Sequence, residues 1–211
     1  MGYTHNFNQQ EDFDQNRWSA IKKAVVDMVK NLPEHTETAG GYMAEYRLKG
    51  NIVAFDPEAE FGAGPIITSM SAETIVQPDP DDSTNEMIWF NGNPQEELDH
   101  EPFVLHRKKI DEAGADFCKT ARKPYDLLVC ATLIVADHVA PGFLEIGGGG
   151  VDDWMPALEF VRDECFANAK LPEGVDPQGT TRVAGVSYEL DPVPLEVVRE
   201  DAKGAPSNLY F

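Results

Sequence analysis

No part of this sequence holds an unbroken apolar run near the ~18–20 residues that a membrane-spanning helix needs, so no membrane association is expected. The first 30 residues are polar and then amphipathic, without the apolar centre of a signal peptide. Gly2 follows Met1, but Asn6 stands where a myristoylation motif needs Ser or Thr. Cysteine is scarce. Cys118, Cys130 and Cys165 are odd in number, widely spaced and free of any CxxC pair, which argues against a structural zinc knuckle and for a reduced, cytoplasmic setting. Positive charge is also short: 17 Lys+Arg face 37 Asp+Glu, a formal net charge of −20. That excess disfavours general nucleic-acid or anionic-membrane binding and permits a basic protein partner, a cation or mimicry of a polyanion.

What the sequence does contain suffices for a core: 42% of its 211 residues are hydrophobic. Trp18, Ile21, Val25, Met28 and Leu32 recur at helical spacing from about Asp14 to Leu32, and Pro33 stops the run. From Gly41 the period becomes two, and with the turn Lys49-Gly50-Asn51 and the segment Ile52 to Phe55 it predicts a hairpin. Short strands are expected at Met87–Phe90, Phe103–His106 and Phe143–Ile146. Tyr125 to Val139 is apolar nearly all round and long for a strand, so a buried helix is expected, with Pro124 at its start. Asp152 and Asp153 suit the start of a third helix carrying Trp154, Ala157, Leu158 and Val161. The glycine run 147–150 lacks a following Lys-Ser/Thr and reads as a hinge or linker. The expected fold class is α+β: a mainly antiparallel sheet packed with about three helices. One domain would cover residues 1–170, with 171–211 an extended, proline-containing arm and a strand at Val183–Leu190.

The charge is unevenly placed. Between Gly50 and His106 lie twelve acids and no Lys or Arg, and among them Asp79, Asp81 and Asp82 are expected to be exposed. Arg107, Lys108, Lys109, Lys119, Arg122 and Lys123 then arrive close together. Lys119, Arg122 and Lys123 crowd the start of the buried helix, an end that is already electropositive and ordinarily takes acids or neutral caps. The simplest relief is a bound phosphate or carboxylate, held by helix amides and by Arg122 as a two-pronged donor. Asp126, one turn in, is the other counter-charge within reach.

Lys119, Thr120, Arg122, Lys123, Tyr125, His5 and Tyr3 are therefore the candidate ligand-binding residues, with Tyr125 or Tyr3 stacking on a base. Cys118 beside cations would have a lowered pKa and is a candidate nucleophile. His100 and Glu101 are candidates for acid–base work. They could also be two metal ligands, but adjacent residues seldom point at one metal ion, so a helper such as His5 or His106 would be required; no metal site is assigned, and the cofactor is left unknown. His138, at the end of the buried helix, is favourably placed as a cation.

Gly2-Tyr3-Thr4-His5, Trp18, Phe90-Asn91-Gly92, His100-Glu101 with Phe103, and above all Phe117-Cys118-Lys119-Thr120-Ala121-Arg122-Lys123-Pro124-Tyr125-Asp126 resemble a small family of uncharacterised phage and bacterial proteins, over about residues 1–166. The resemblance implies a bacterial or phage-infected cytoplasm and supplies no mechanism. Three function classes follow. The first is a phage-type accessory protein that binds a small phosphorylated, nucleotide-like ligand. The second is an acidic interaction protein, a polyanion mimic or virion component that docks a basic partner. The third is a hydrolase or transferase using Cys118 or His100. Homo-oligomerisation is left open.

Overall fold

The computed structural model describes residues 3–37, 45–58, 64–110 and 116–180. The chain is α+β, with three helices of at least fourteen residues and strands paired antiparallel throughout the described residues. Helix α1 (Gln15–Lys30) begins where the Asp14 carboxylate accepts from the amides of Asn16 and Arg17. It buries Trp18, Ile21, Val25 and Met28, the stripe its spacing predicts. Helix α2 (Asp126–Val139) buries eleven of its fourteen residues, because it packs against both α1 and helix α3 (Val151–Glu164). A helix with neighbours on both sides has no face for polar side chains, which explains its all-round apolar sequence.

The strands form three sheets, where one was expected. In the first, β1 (His5–Gln9) lies between β8 (Asp116–Cys118) and β9 (Leu144–Gly147). The second pairs β2 (His35–Glu37) with β3 (Glu45–Arg47). In the third, β6 (Glu86–Gly92) carries β4 (Ile52–Ala54) and β5 (Val76–Pro78) along one edge and β7 (Phe103–His106) along the other. The expected hairpin is therefore not formed. Glu45–Arg47 turns back onto His35–Glu37, while Ile52–Ala54 joins β6, where Ile52, Val53 and Ala54 are all buried. Residues 41–44 of that expected hairpin lie outside the described residues.

The opening segment, polar in composition, is the central strand of the first sheet. Its buried positions are His5, Phe7 and Gln9, so two polar side chains disguise an inward face of period two. The glycine run is not a hinge either. Gly148 (φ +111°) and Gly149 (φ +71°) form a packed turn in which a β-carbon on Gly148 would come 2.3 Å from the Thr4 carbonyl oxygen. The first ten residues of the expected arm lie against the domain: Leu171 and Val175 are buried, and Gly174 comes close to the Ile146 carbonyl. Residues 181–211, including the expected strand at Val183–Leu190, lie outside the described residues. No helix among the described residues is long and apolar enough to cross a membrane.

Candidate functional site

Four pieces of chain meet at the start of α2. The N-terminal segment supplies Tyr3 and His5. The turn before α2 supplies Thr120, Arg122 and Lys123. Asp126 and Cys130 stand one helical turn apart on α2, on a common face. Asp153 and Trp154 come from the first turn of α3, next to the glycine turn.

His5 is fully buried, with its ring edge-on to Tyr3 and to Trp154, both at 4.9 Å between centroids. Its Nε2 lies 2.7 Å from Asp126 Oδ1, and the same oxygen accepts from the Thr120 hydroxyl. Cys130 Sγ lies 3.5 Å from His5 Nε2 and 3.9 Å from Nδ1. The Trp154 indole N–H donates to the Gly148 carbonyl at 2.7 Å, which ties α3 to the glycine turn. The Arg122 guanidinium sits 4.0 Å above the Tyr3 ring and donates to Asp153 Oδ1 at 2.7 Å. Burial alone would raise the Asp153 carboxyl, but hydrogen bonds from Arg122 and the Gly150 amide, with the Arg122 charge, bring it below the ordinary aspartate range. Burial pushes the Cys130 thiol well up, so it rests protonated. A shallow cleft opens beside these groups, lined by Arg122, Lys123, Asp126, Cys130, Asp153 and the apolar Pro124, Leu127, Pro156 and Ala157.

The backbone that delivers Arg122 is unusual. Ala121 (φ +51°) and Arg122 (φ +60°) are consecutive left-handed residues, and neither is glycine. The turn is held by the Ala121 amide donating to the Tyr3 carbonyl and the Lys123 amide to the Thr120 carbonyl. The first amides of α2 are already used. Those of Asp126, Leu127 and Leu128 donate to the carbonyls of Lys123, Pro124 and Tyr125 at 2.9, 3.3 and 3.0 Å. The expectation that helix amides would hold an anion is therefore corrected for Asp126, Leu127 and Leu128, whose N–H groups are taken.

Of the residues singled out in the sequence, Tyr3, His5, Thr120, Arg122 and Lys123 come together here. Lys123 also donates to the Glu97 carbonyl at 2.5 Å. Tyr125 does not join them as a stacking surface, because it is fully buried with its hydroxyl on the Glu101 carbonyl at 2.7 Å. Cys118 is fully buried, and its thiol is pushed up to about 12 by burial, the reverse of the lowered value expected beside cations. Glu101 clasps the basic block: its carboxylate accepts from the Lys119 amide at 2.8 Å, and its carbonyl accepts from Cys118 and Tyr125. His100 is exposed, and its backbone is held by the Asn91 side chain. His138 packs on Phe166 at 4.5 Å, and burial, then the Lys170 charge, lowers its pKa, so its expected role as a helix-end cation is not met.

The acidic stretch is partly neutralised from within. Glu73 pairs with Lys30, and Glu86 pairs with Lys22 and lies 4.0 Å from Arg107. Asp81 and Asp82 are exposed as expected. Asp79 is not: it is 5% exposed and accepts from the Asp81 amide and the Asn85 side chain. Glu60 lies outside the described residues.

Asp153, Trp154 and Cys130 were legible only as helix and core residues, and Asp126 only as a counter-charge for lysine or arginine. The signal that Asp126 and Cys130 form a site was their one-turn spacing after the basic block. Nothing local links them to His5, 121 residues from Asp126. Comparison of the chain with protein-family models, with curated proteins and with solved structures finds no match.

Proposed function

We propose that the protein binds a small phosphate- or carboxylate-bearing molecule in the cleft at the start of α2, as an accessory factor in a bacterial or phage-infected cytoplasm. The observation that carries this reading is the left-handed pair Ala121–Arg122. Left-handed backbone costs about 1–2 kcal/mol for each non-glycine residue. Such strain persists where surrounding structure enforces it, and it clusters at ligand sites. Here it sets a guanidinium at the wall of a cleft, with Tyr3 and Asp153 fixing its plane and Lys123 beside it. A guanidinium oriented in advance gives directional, two-pronged recognition of an oxyanion at a reduced entropic cost. Pro124, Leu127, Pro156 and Ala157 give the cleft apolar walls, which strengthen that attraction.

The test is thermal denaturation with inorganic phosphate, nucleoside mono-, di- and triphosphates and small dicarboxylates, each added separately. A ligand at 100 times its dissociation constant adds about 2.7 kcal/mol, a shift easily measured. Arg122→Ala is expected to abolish the shift while leaving a cooperative melt, because the Arg122–Asp153 pair is partly exposed and contributes little stability itself. Ala121→Gly relieves the turn. It should raise stability by up to about 1 kcal/mol and shrink the ligand shift as Arg122 loses its fixed placement. Absence of a shift with every anion tried on folded protein overturns the proposal.

A further inference from the structure

We propose that His5, Asp126 and Cys130 form a binding site for a divalent transition-metal ion of the zinc class at the side of the cleft. Imidazole, carboxylate and thiolate are the donors such ions take, and here one ligand atom from each residue lies within 4.8 Å of the other two. Cys130 Sγ is 3.5 Å from His5 Nε2. Bonds of about 2.0–2.1 Å to nitrogen and 2.3 Å to sulfur, at a tetrahedral angle, place those atoms about 3.6 Å apart. His5 Nε2 and Asp126 Oδ1 are 2.7 Å apart, a hydrogen-bonded pair. The ion takes the place of that proton, and the pair opens to about 3.3 Å. Sγ also lies 3.9 Å from Nδ1, beside the imidazole, so coordination requires the thiol to swing toward the Nε2 lone pair.

The surroundings fit the donor set. The Thr120 hydroxyl fixes the Asp126 carboxylate, and Tyr3 and Trp154 hold the imidazole edge-on from their own rings. The Tyr3 hydroxyl is buried without a hydrogen-bond partner, so the pocket around these rings holds unused donor capacity. Three protein ligands leave one position of a four-coordinate ion open. Asp126 and Cys130 both line the cleft, so that position faces the space where the anion is proposed to bind. The metal site does not depend on that anion, because it rests on side chains other than Arg122 and Lys123. On binding, Cys130 gives up its thiol proton, and the proton between His5 and Asp126 leaves Nε2 for Nδ1 or for water. Metal uptake therefore releases protons and weakens as pH falls.

The experiment is titration of chelator-stripped, full-length protein with Co²⁺ and with Zn²⁺ alone, in a buffer free of phosphate and carboxylates. Calorimetry gives the stoichiometry, and absorption reads the sulfur-to-cobalt charge-transfer band. One ion per chain, a charge-transfer band and a raised melting temperature are expected. Cys130→Ser should remove the band, His5→Gln and Asp126→Asn should weaken binding at least tenfold, and Thr120→Val should weaken it about 10–100-fold as an outer partner. Cys118→Ser, which changes a thiol bonded to the Glu101 carbonyl, should leave the band unchanged. Should Cys130→Ser fold poorly, Cys130→Ala serves in its place. The proposal fails if folded wild-type protein shows no stoichiometric uptake, or if the band survives loss of the Cys130 thiol. Because no anion is present, that failure would leave the anion-binding reading standing, and a failed anion screen would leave this one standing.

Discussion

Gly148→Ala is expected to destabilise the protein by about 3 kcal/mol and to loosen the N-terminal strand first. Two effects add. At φ +111° the backbone is in a region that only glycine visits readily, and the new methyl group would meet the Thr4 carbonyl oxygen at 2.3 Å and the His5 Cα at 3.1 Å. Those neighbours are main chain, so relief requires residues 4 and 5 to move, and His5 moves with them. Gly142→Ala separates the two effects. Gly142 has φ +79°, and a β-carbon there would meet no atom within 4 Å, so only backbone strain of about 1–2 kcal/mol applies. Denaturant melts of both variants give the difference. Hydrogen exchange should show lost protection at the β1 amides in Gly148→Ala and not in Gly142→Ala. Equal destabilisation of the two would show that the close approach of the glycine turn to the N-terminal segment contributes nothing.

Trp154→Ala should cost about 3–5 kcal/mol, at least as much as Gly148→Ala. The side chain is fully buried in the main core, lies edge-on to His5 at 4.9 Å and ties α3 to the Gly148 carbonyl. Trp154→Phe keeps most of the packing and removes the hydrogen bond, so about 1–2 kcal/mol of the loss should remain. Trp89→Ala provides the contrast. Trp89 belongs to a small separate cluster with Val53 and Met87, flanked by the partly exposed Phe55 and Val104, and its surroundings can relax more freely. Its loss should be smaller than that of Trp154. Equilibrium unfolding of the three variants checks the order, and a Trp89→Ala cost equal to that of Trp154→Ala would contradict it.

The two helices with the clearest periodicity were readable for a local reason. In α1 and α3 the apolar residues recur every three to four positions and an acid marks the start, Asp14 at one and Asp153 at the other. α2 was readable by a different signal, its length without a polar face. The misread segments were those in which pairing partners are distant in sequence. Nothing in Ile52–Ala54 says that it pairs with Phe90–Gly92 and not with the strand just before it. His5 and Gln9 have polar side chains, and only the neighbours they meet in the fold give them buried positions.

The same division applies to the site. The sequence alone determined that three cations precede a buried helix, that Asp126 and Cys130 share a face of that helix, and that acids dominate the chain before it. These are properties of spacing and composition, fixed by covalent order. Tertiary structure decided the rest. It brought His5 to Asp126, gave Arg122 to Asp153 and Tyr3, and buried Cys118 and Tyr125. Whether a charged or nucleophilic side chain is free, paired or desolvated depends on groups that reach it through space. In this chain those groups come from strands and helices tens of residues away, and no local pattern encodes them.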